Sequence, residues 1–316
     1  MKKLIALSLA LALLCAPLAA CGKQGGDDGT FHVVATIFPI CDWVREIVGD
    51  ADGVEVTLLQ DGGADLHSFQ PTSGDIAQIM ECDLFLCVGG ASDAWVDPTL
   101  AATGREIPTL RLLSMLGDGV KPEEVKEGME ADGDETEADE HVWLSLRNAA
   151  VLCAAIADAM GELDPANAAI YGENCAAYLE KLRALDARFT AAVETGTYDT
   201  VLFADRFPFR YLADDYGIDY FAAFTGCNAE TAASFETVIF LAEKFDALGL
   251  PCVLTTEAAD KSLVAAVTEN TAAGEQTVFG MDSMQSVTGA DVEAGVTYLS
   301  IMEQNLAVLT KALGTK

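Results

Sequence analysis

Three histidines occur in 316 residues, and two of them stand where a cation could be held. His67 lies in GADLHSFQPTSGDI, just beyond a β-branched run (54–60) and before the helix expected from Ser73. His141 lies in DEHVWLSLRNAA, between an acidic stretch and a helical one. His32 opens the first strand and reads as structural. Two aspartates close strand-like runs: Asp205 ends TVLFAD (200–205) and Asp282 ends QTVFGMD (276–282). Open α/β sheets bind ligands beyond such strand ends, and two imidazoles with two carboxylates suit a divalent ion, Zn²⁺ first and Mn²⁺ next. Glu257, ending PCVLTTE, could orient an imidazole from behind, or could simply favour a helix N-terminus. Cys227 in FTGCNAET could add a thiolate and select zinc, and Trp143 could wall a cleft. Taken singly, each residue has an ordinary structural role, such as a helix cap for His141 or Asp282. Only their convergence would make a site.

The elements that must position them alternate. FHVVATIF (31–38), VEVTLLQ (54–60) and LFLCVGG (84–90) read as strands, with CDWVREIVGD (41–50) and SGDIAQIMEC (73–82) as helices between them. The pattern recurs in the second half, from TVLFAD and the helix RFPFRYLADDYG (206–217) to a terminal helix near 295–313. Alternation of this kind implies crossovers and parallel sheets. Between the halves, residues 164–195 carry Pro165 near a helix start and only Gly172 as an interior breaker. The expectation is an α/β protein of two parallel-sheet (β/α) lobes joined by a single long backbone helix. Its boundaries would be 31–161, 162–196 and 197–316.

One insertion departs from the pattern. KPEEVKEGMEADGDETEADE (121–140) carries ten acids and few apolar residues, so a mobile loop is expected. It could collect cations weakly, although without histidine it would hold soft metals poorly. The whole chain has 50 acidic against 18 basic residues, a net charge of −32 that repels phosphate backbones; no nucleic-acid partner is expected.

The N-terminus bears Lys2, Lys3 and an apolar run from Leu4 to Leu14, followed by Leu18-Ala19-Ala20-Cys21. This is the layout of an export signal (1–20). Leu-Ala-Ala-Cys resembles a lipobox, which implies that Cys21 is lipidated and that 21–30 is a tether. The body would then be extracytoplasmic, a monomer tied to the membrane through Cys21. Beyond Cys15 and Cys21, seven cysteines remain without CxxC spacing, most in apolar runs that suit buried thiols; Cys153 and Cys175 could pair.

Several segments together resemble one family. EHVWLSLRNAA is similar to its DPHVWLSP-NA segment, and GADLHSFQPTSGDIAQIMECDLFLCVGG to its histidine, Pro-containing turn, helix and Gly-Gly strand. FRYLADDYGIDY resembles its GYFA–YG segment, and VLTTEAADKSLVAAVTENT with FGMD its late strand–Glu–helix–strand–Asp ending. The family is that of the metal-specific, zinc/manganese-type solute-binding lipoproteins of ABC importers. The resemblance implies an inter-lobe cleft in which His67 and His141 meet Asp282 and one further ligand, and delivery of the ion to a permease. Ligand imidazoles must be neutral, so uptake should weaken below about pH 6.

In the family the further ligand is a His or Glu five residues before a Tyr. Here that position is Arg206, which stays protonated. At about 4 Å and an effective dielectric of 20 it would repel a dication by roughly 8 kcal/mol. Asp205 could supply the oxygen instead, which is the preferred set: His67, His141, Asp205 and Asp282. Alternatively, Arg206 could turn aside, since Arg206, Arg210 and Asp214 recur every four residues as on one helix face. Arg206 and Arg210 could also hold an anion or metal chelate. A surface adhesin or scaffold with a degenerate site is the remaining alternative.

Overall fold

A computed structural model describes residues 29–130, 137–227 and 232–315. The signal, Cys21 and most of the tether lie outside the described residues. Among the described residues no helix is long and apolar enough to cross a membrane.

Among the described residues, eight strands form two four-stranded sheets. The first holds β1 (Phe31–Ala35), β2 (Val54–Leu58), β3 (Leu84–Cys87) and β4 (Thr109–Arg111); the second holds β5 (Thr200–Phe207), β6 (Asp219–Thr225), β7 (Val253–Thr256) and β8 (Val278–Met281). Their orders, β2-β1-β3-β4 and β6-β5-β7-β8, are the same topology repeated, and every pairing is parallel. Parallel neighbours require crossovers, which the helices Phe38–Val48 and Ser73–Glu81 provide in one lobe and Phe235–Leu248 and Lys261–Glu269 in the other. The expected two-lobed α/β architecture is the one observed.

The helix Ala168–Glu194 runs unbroken through Gly172 for 27 residues, about 40 Å at 1.5 Å per residue. Its buried residues Tyr171, Cys175, Tyr178, Leu182, Leu185, Phe189 and Ala192 alternate steps of four and three, so one stripe faces inward along the whole rod. Lys181 reaches Glu46 of the first lobe at 3.1 Å, and Arg188 reaches Glu303 of the second at 2.6 Å. One apolar cluster runs through both lobes and this helix. Where the lobes meet, Trp143 Nε1 donates to the Ser283 carbonyl (2.9 Å), Tyr298 Oη donates to the Trp143 carbonyl (2.7 Å), and the Tyr298 N–H donates to Asp42 (2.9 Å). Trp143 is thus inter-lobe packing.

Two sequence expectations are corrected here. The acidic insertion is docked where it is described, over 121–130 and 137–140. Glu130 pairs through its backbone with Ala223 and Thr225 on the edge strand β6, and its carboxylate accepts from the Ser234 N–H and Thr237 hydroxyl. Glu124 accepts from Tyr220 Oη (2.7 Å), and Lys126 meets Asp219 at 2.5 Å. An exposed strand edge offers unpaired backbone groups, and this strap covers them. Residues 131–136 of the insertion lie outside the described residues. The second correction concerns Arg206. It belongs to β5 and not to a helix, so it shares no helical face with Arg210 and Asp214, whose own separation is 3.9 Å. Cys153 and Cys175 carry free thiols, as do the other five described cysteines.

Candidate metal centre

His67 lies in the turn Leu66–Ser68 after β2, and His141 lies just before the turn Val142–Leu144. Their Nε2 atoms stand 3.4 Å apart. An ion holding two imidazoles tetrahedrally at Zn–N distances of 2.0–2.1 Å sets those nitrogens about 3.4 Å apart. The pair is therefore spaced as two adjacent corners of such a shell.

Supports fix both rings with Nε2 aimed inward. Asp139 Oδ1 accepts from the His141 backbone N–H (2.9 Å) and lies 3.0 Å from its Nδ1. His67 Nδ1 is 2.7 Å from Ser92 Oγ, and Ser92 is held in turn by its N–H donating to Glu140 Oε1 (2.9 Å). Adjacent residues of Asp139-Glu140-His141 thus organise both imidazoles, one directly and one through Ser92. Gly90 is required by this arrangement, because a Cβ there would collide with the Glu140 carboxylate. Protons on both Nδ1 atoms satisfy Asp139 and Ser92 and leave both Nε2 lone pairs to the centre.

The electrostatics separate the two rings. Burial and the neighbouring His141 charge push the His67 pKa down to about 4. Burial also opposes a charge on His141, yet the hydrogen bond and charge of Asp139, joined by Glu123 and Glu140, outweigh it and hold its pKa above the ordinary value. With His141 charged, its Nε2 proton faces the neutral Nε2 of His67. A proton then occupies the region that a cation between the rings would take.

The second lobe contributes differently from expectation. Among the described residues, Asp205 and Asp282 belong to neither of the two groups of potential ligands, which are His67, His141 and Cys227, and Glu123, Asp139, His141 and Cys227, each with donor atoms within 4.8 Å of one another. Asp205 is 9% exposed, and its Oδ2 accepts from the Thr256 N–H (3.0 Å) and from the Thr256 hydroxyl. The cause is a bulge: Ala204 and Asp205 of β5 stand against the single residue Ala223 of β6, which interrupts the alternation of faces. Asp282 Oδ1 accepts from the Met284 N–H (2.7 Å), while burial and Glu257 raise its pKa to about 6. Glu257 binds the Ser283 N–H (2.8 Å) and hydroxyl (2.7 Å), not an imidazole.

Arg206 Nη2 meets Asp65 Oδ2 at 2.5 Å across the cleft. Asp65 Oδ1 accepts from the His67 N–H at 2.9 Å, so the arginine braces the loop that carries His67. Burial opposes ionisation of Asp65, but Arg206 and His67 outweigh it and hold its carboxyl below the usual range. Cys227, just past β6, brings Sγ to 3.9 Å from His141 Nδ1, and its N–H donates to Glu123 Oε1 (3.1 Å). Gly226 beside it admits the ring, since a Cβ there would stand 3.1 Å from His141 Nδ1. Asp65, Ser92, Asp139 and Glu140 were not singled out from the sequence; only the adjacency Asp-Glu-His offered a signal for any of them.

Comparison with known proteins bears on the family and the fold. Residues 33–312 match the model of the family described as ZnuA, zinc-uptake complex component A, periplasmic. The chain belongs to the ZnuA family. Among its relatives, the zinc-binding lipoprotein AdcA of Streptococcus pneumoniae TIGR4 is 30% identical over 313 residues, covering 98% of this chain and 60% of that protein. This ZnuA-family chain therefore spans less than two thirds of that relative. The iron-binding protein YfeA of Yersinia pestis is 27% identical over 285 residues, covering 90% of this chain and 86% of YfeA. Among solved structures, the Zn(II)-bound ZnuA-like domain of S. pneumoniae AdcA aligns with a TM-score of 0.71 at 26% identity, over 90% of this chain and 99% of that domain.

Proposed function

We propose that this ZnuA-family protein captures a divalent cation, zinc first and manganese next, outside the cytoplasm and delivers it to an ABC permease. The observation that carries the reading is the 3.4 Å approach of two supported Nε2 atoms at the meeting of the lobes. His67 and His141 are the ligands proposed from the first lobe. Zinc is the cargo named for the AdcA relatives, and a two-imidazole pair suits it. The lipobox-like Cys21 would tether the chain, with 21–30 as linker, 31–161 and 197–316 as lobes and 162–196 as the joining helix.

Arg206 does not stand against this reading. Its pairing with Asp65 cancels the charge that would otherwise repel a dication, and it occupies the guanidinium face that an anion would need. Release of the ion requires the donors to separate. The continuous helix and the Trp143–Ser283 and Tyr298–Trp143 bonds favour a small movement of the lobes over a wide hinge.

Titration of chelator-stripped protein with zinc should give one-to-one uptake, which His67→Ala or His141→Ala each reduce by about a hundredfold or more, at and beyond the upper end of what losing a supporting partner costs. Unchanged uptake in both variants would end the proposal. Absence of any uptake by the unsubstituted chain would favour the scaffold alternative.

A further inference from the structure

We propose that Cys227 is the cargo ligand supplied by the second lobe, and that its thiolate makes the site prefer zinc-like, thiophilic cations over manganese. This rests on the proposed metal-capture reading and adds to it a ligand and a basis for selectivity. Three observations meet at this residue. Its Sγ and one nitrogen of each of His67 and His141 lie within 4.8 Å of one another, a set of donors contributed by both lobes. The position at which the resemblance places a second-lobe ligand is occupied by Arg206, which is engaged with Asp65, and among the described residues neither Asp205 nor Asp282 joins the imidazoles in a group of potential ligands. The loop that carries Cys227 is built for close approach: Gly226 leaves room for the His141 ring, and Glu123 of the docked insertion holds the Cys227 N–H.

The other described cysteines, Cys41, Cys82, Cys87, Cys153, Cys175 and Cys252, are buried, and none belongs to a group of potential ligands among the described residues. A tetrahedral ion with Zn–S near 2.3 Å and Zn–N near 2.05 Å places sulfur and nitrogen about 3.6 Å apart. Sγ stands 3.9 Å from His141 Nδ1, so joining the Nε2 pair takes a movement of the thiol around the edge of that ring. Binding forms a metal–sulfur bond as the thiol proton passes to solvent, with no change of oxidation state. Thiolate is a soft donor that zinc accepts readily, whereas manganese favours oxygen ligands.

Cobalt(II) loaded into the chelator-stripped full chain should show a thiolate-to-cobalt charge-transfer band in the near ultraviolet, lost in Cys227→Ser. The same substitution should cut the zinc-over-manganese preference by at least about tenfold, the smaller loss seen when even a supporting partner is removed, with manganese affinity little altered. Zinc should also protect Cys227 of the unsubstituted chain from alkylation, a readout that needs no variant. A cobalt protein without the band, an unchanged metal preference in Cys227→Ser, or equal alkylation with and without zinc would overturn the proposal. Binding that needs His67 and His141 but not Cys227 removes the thiolate alone; no binding by the unsubstituted chain removes the capture reading with it.

Discussion

The two lobes repeat one strand order and yet use their strand ends in opposite ways. In the first lobe, polar residues beyond the strands converge: Asp139 holds His141, and Glu140 holds Ser92, which holds His67. In the second, the corresponding carboxylates turn back on their own lobe, Asp205 to Thr256, Glu257 to Ser283 and Asp282 to Met284. Topology places residues near a cleft, but local backbone geometry decides whether their side chains serve a ligand or the fold.

The contrast can be tested from its strongest side. Asp139→Asn removes the charge that orients His141 and should weaken zinc binding by about 10–100-fold without abolishing it. Affinity equal to that of the unsubstituted chain, measured by competition with a chelator of known strength, would show that the first-lobe support is dispensable.

Proton competition sharpens the same point. Because Asp139 holds the His141 pKa above the ordinary 6.5, that ring keeps its proton to higher pH than a free imidazole does. Zinc affinity should fall by about tenfold per pH unit wherever this proton must be displaced, beginning above pH 6.5 and not near 6. For the metal-free fold the two rings act with opposite signs. The raised pKa of His141 gives stability that is full below pH 6.5 and fades as pH rises through the folded value. The lowered pKa of His67 gives stability that is full above 6.5 and is lost as pH falls toward about 4. Chelator-stripped His67→Gln should therefore lose less stability than the unsubstituted chain between pH 6.5 and 4 in denaturant titrations.

On the second-lobe side, Asp205→Asn should cost about 1–3 kcal/mol of folding stability, because it weakens a buried, charge-assisted pair of hydrogen bonds. It should leave zinc affinity within about twofold, an effect below 0.5 kcal/mol. A large loss of affinity would restore Asp205 as a ligand. The smallest effect is expected for the cross-cleft ion pair: a double-mutant cycle on Arg206→Ala and Asp65→Ala should return a coupling of about 1 kcal/mol in stability, as both groups are partly exposed.

Much of the fold was legible before any coordinates. The alternation of β-branched runs with helical stretches reported the parallel sheets, and the run 164–195, with Pro165 near its start and only Gly172 as an interior breaker, reported a long helix. His67 and His141 were legible as a pair through the resemblance of their segments, GADLHSFQPTSGDI and EHVWLSLRNAA, to one family. The acidic insertion misled, since its composition reads as solvated while Glu124, Lys126 and Glu130 find partners on β6 and the residues after it. No local pattern in 121–140 encodes those distant partners.

Sequence alone determined which donors exist, how the chain alternates between strand and helix, and that a permanently charged arginine stands where a ligand was expected. Tertiary structure decided which donors meet. The bulge at Ala204–Asp205 turned a carboxylate toward Thr256, a partner 51 residues away drew Arg206's neighbour out of the cleft, and Asp65 drew Arg206 itself across it. The physical reason is that hydrogen bonds and coordination act over about 3 Å, a separation that spacing along a chain leaves free and only packing fixes.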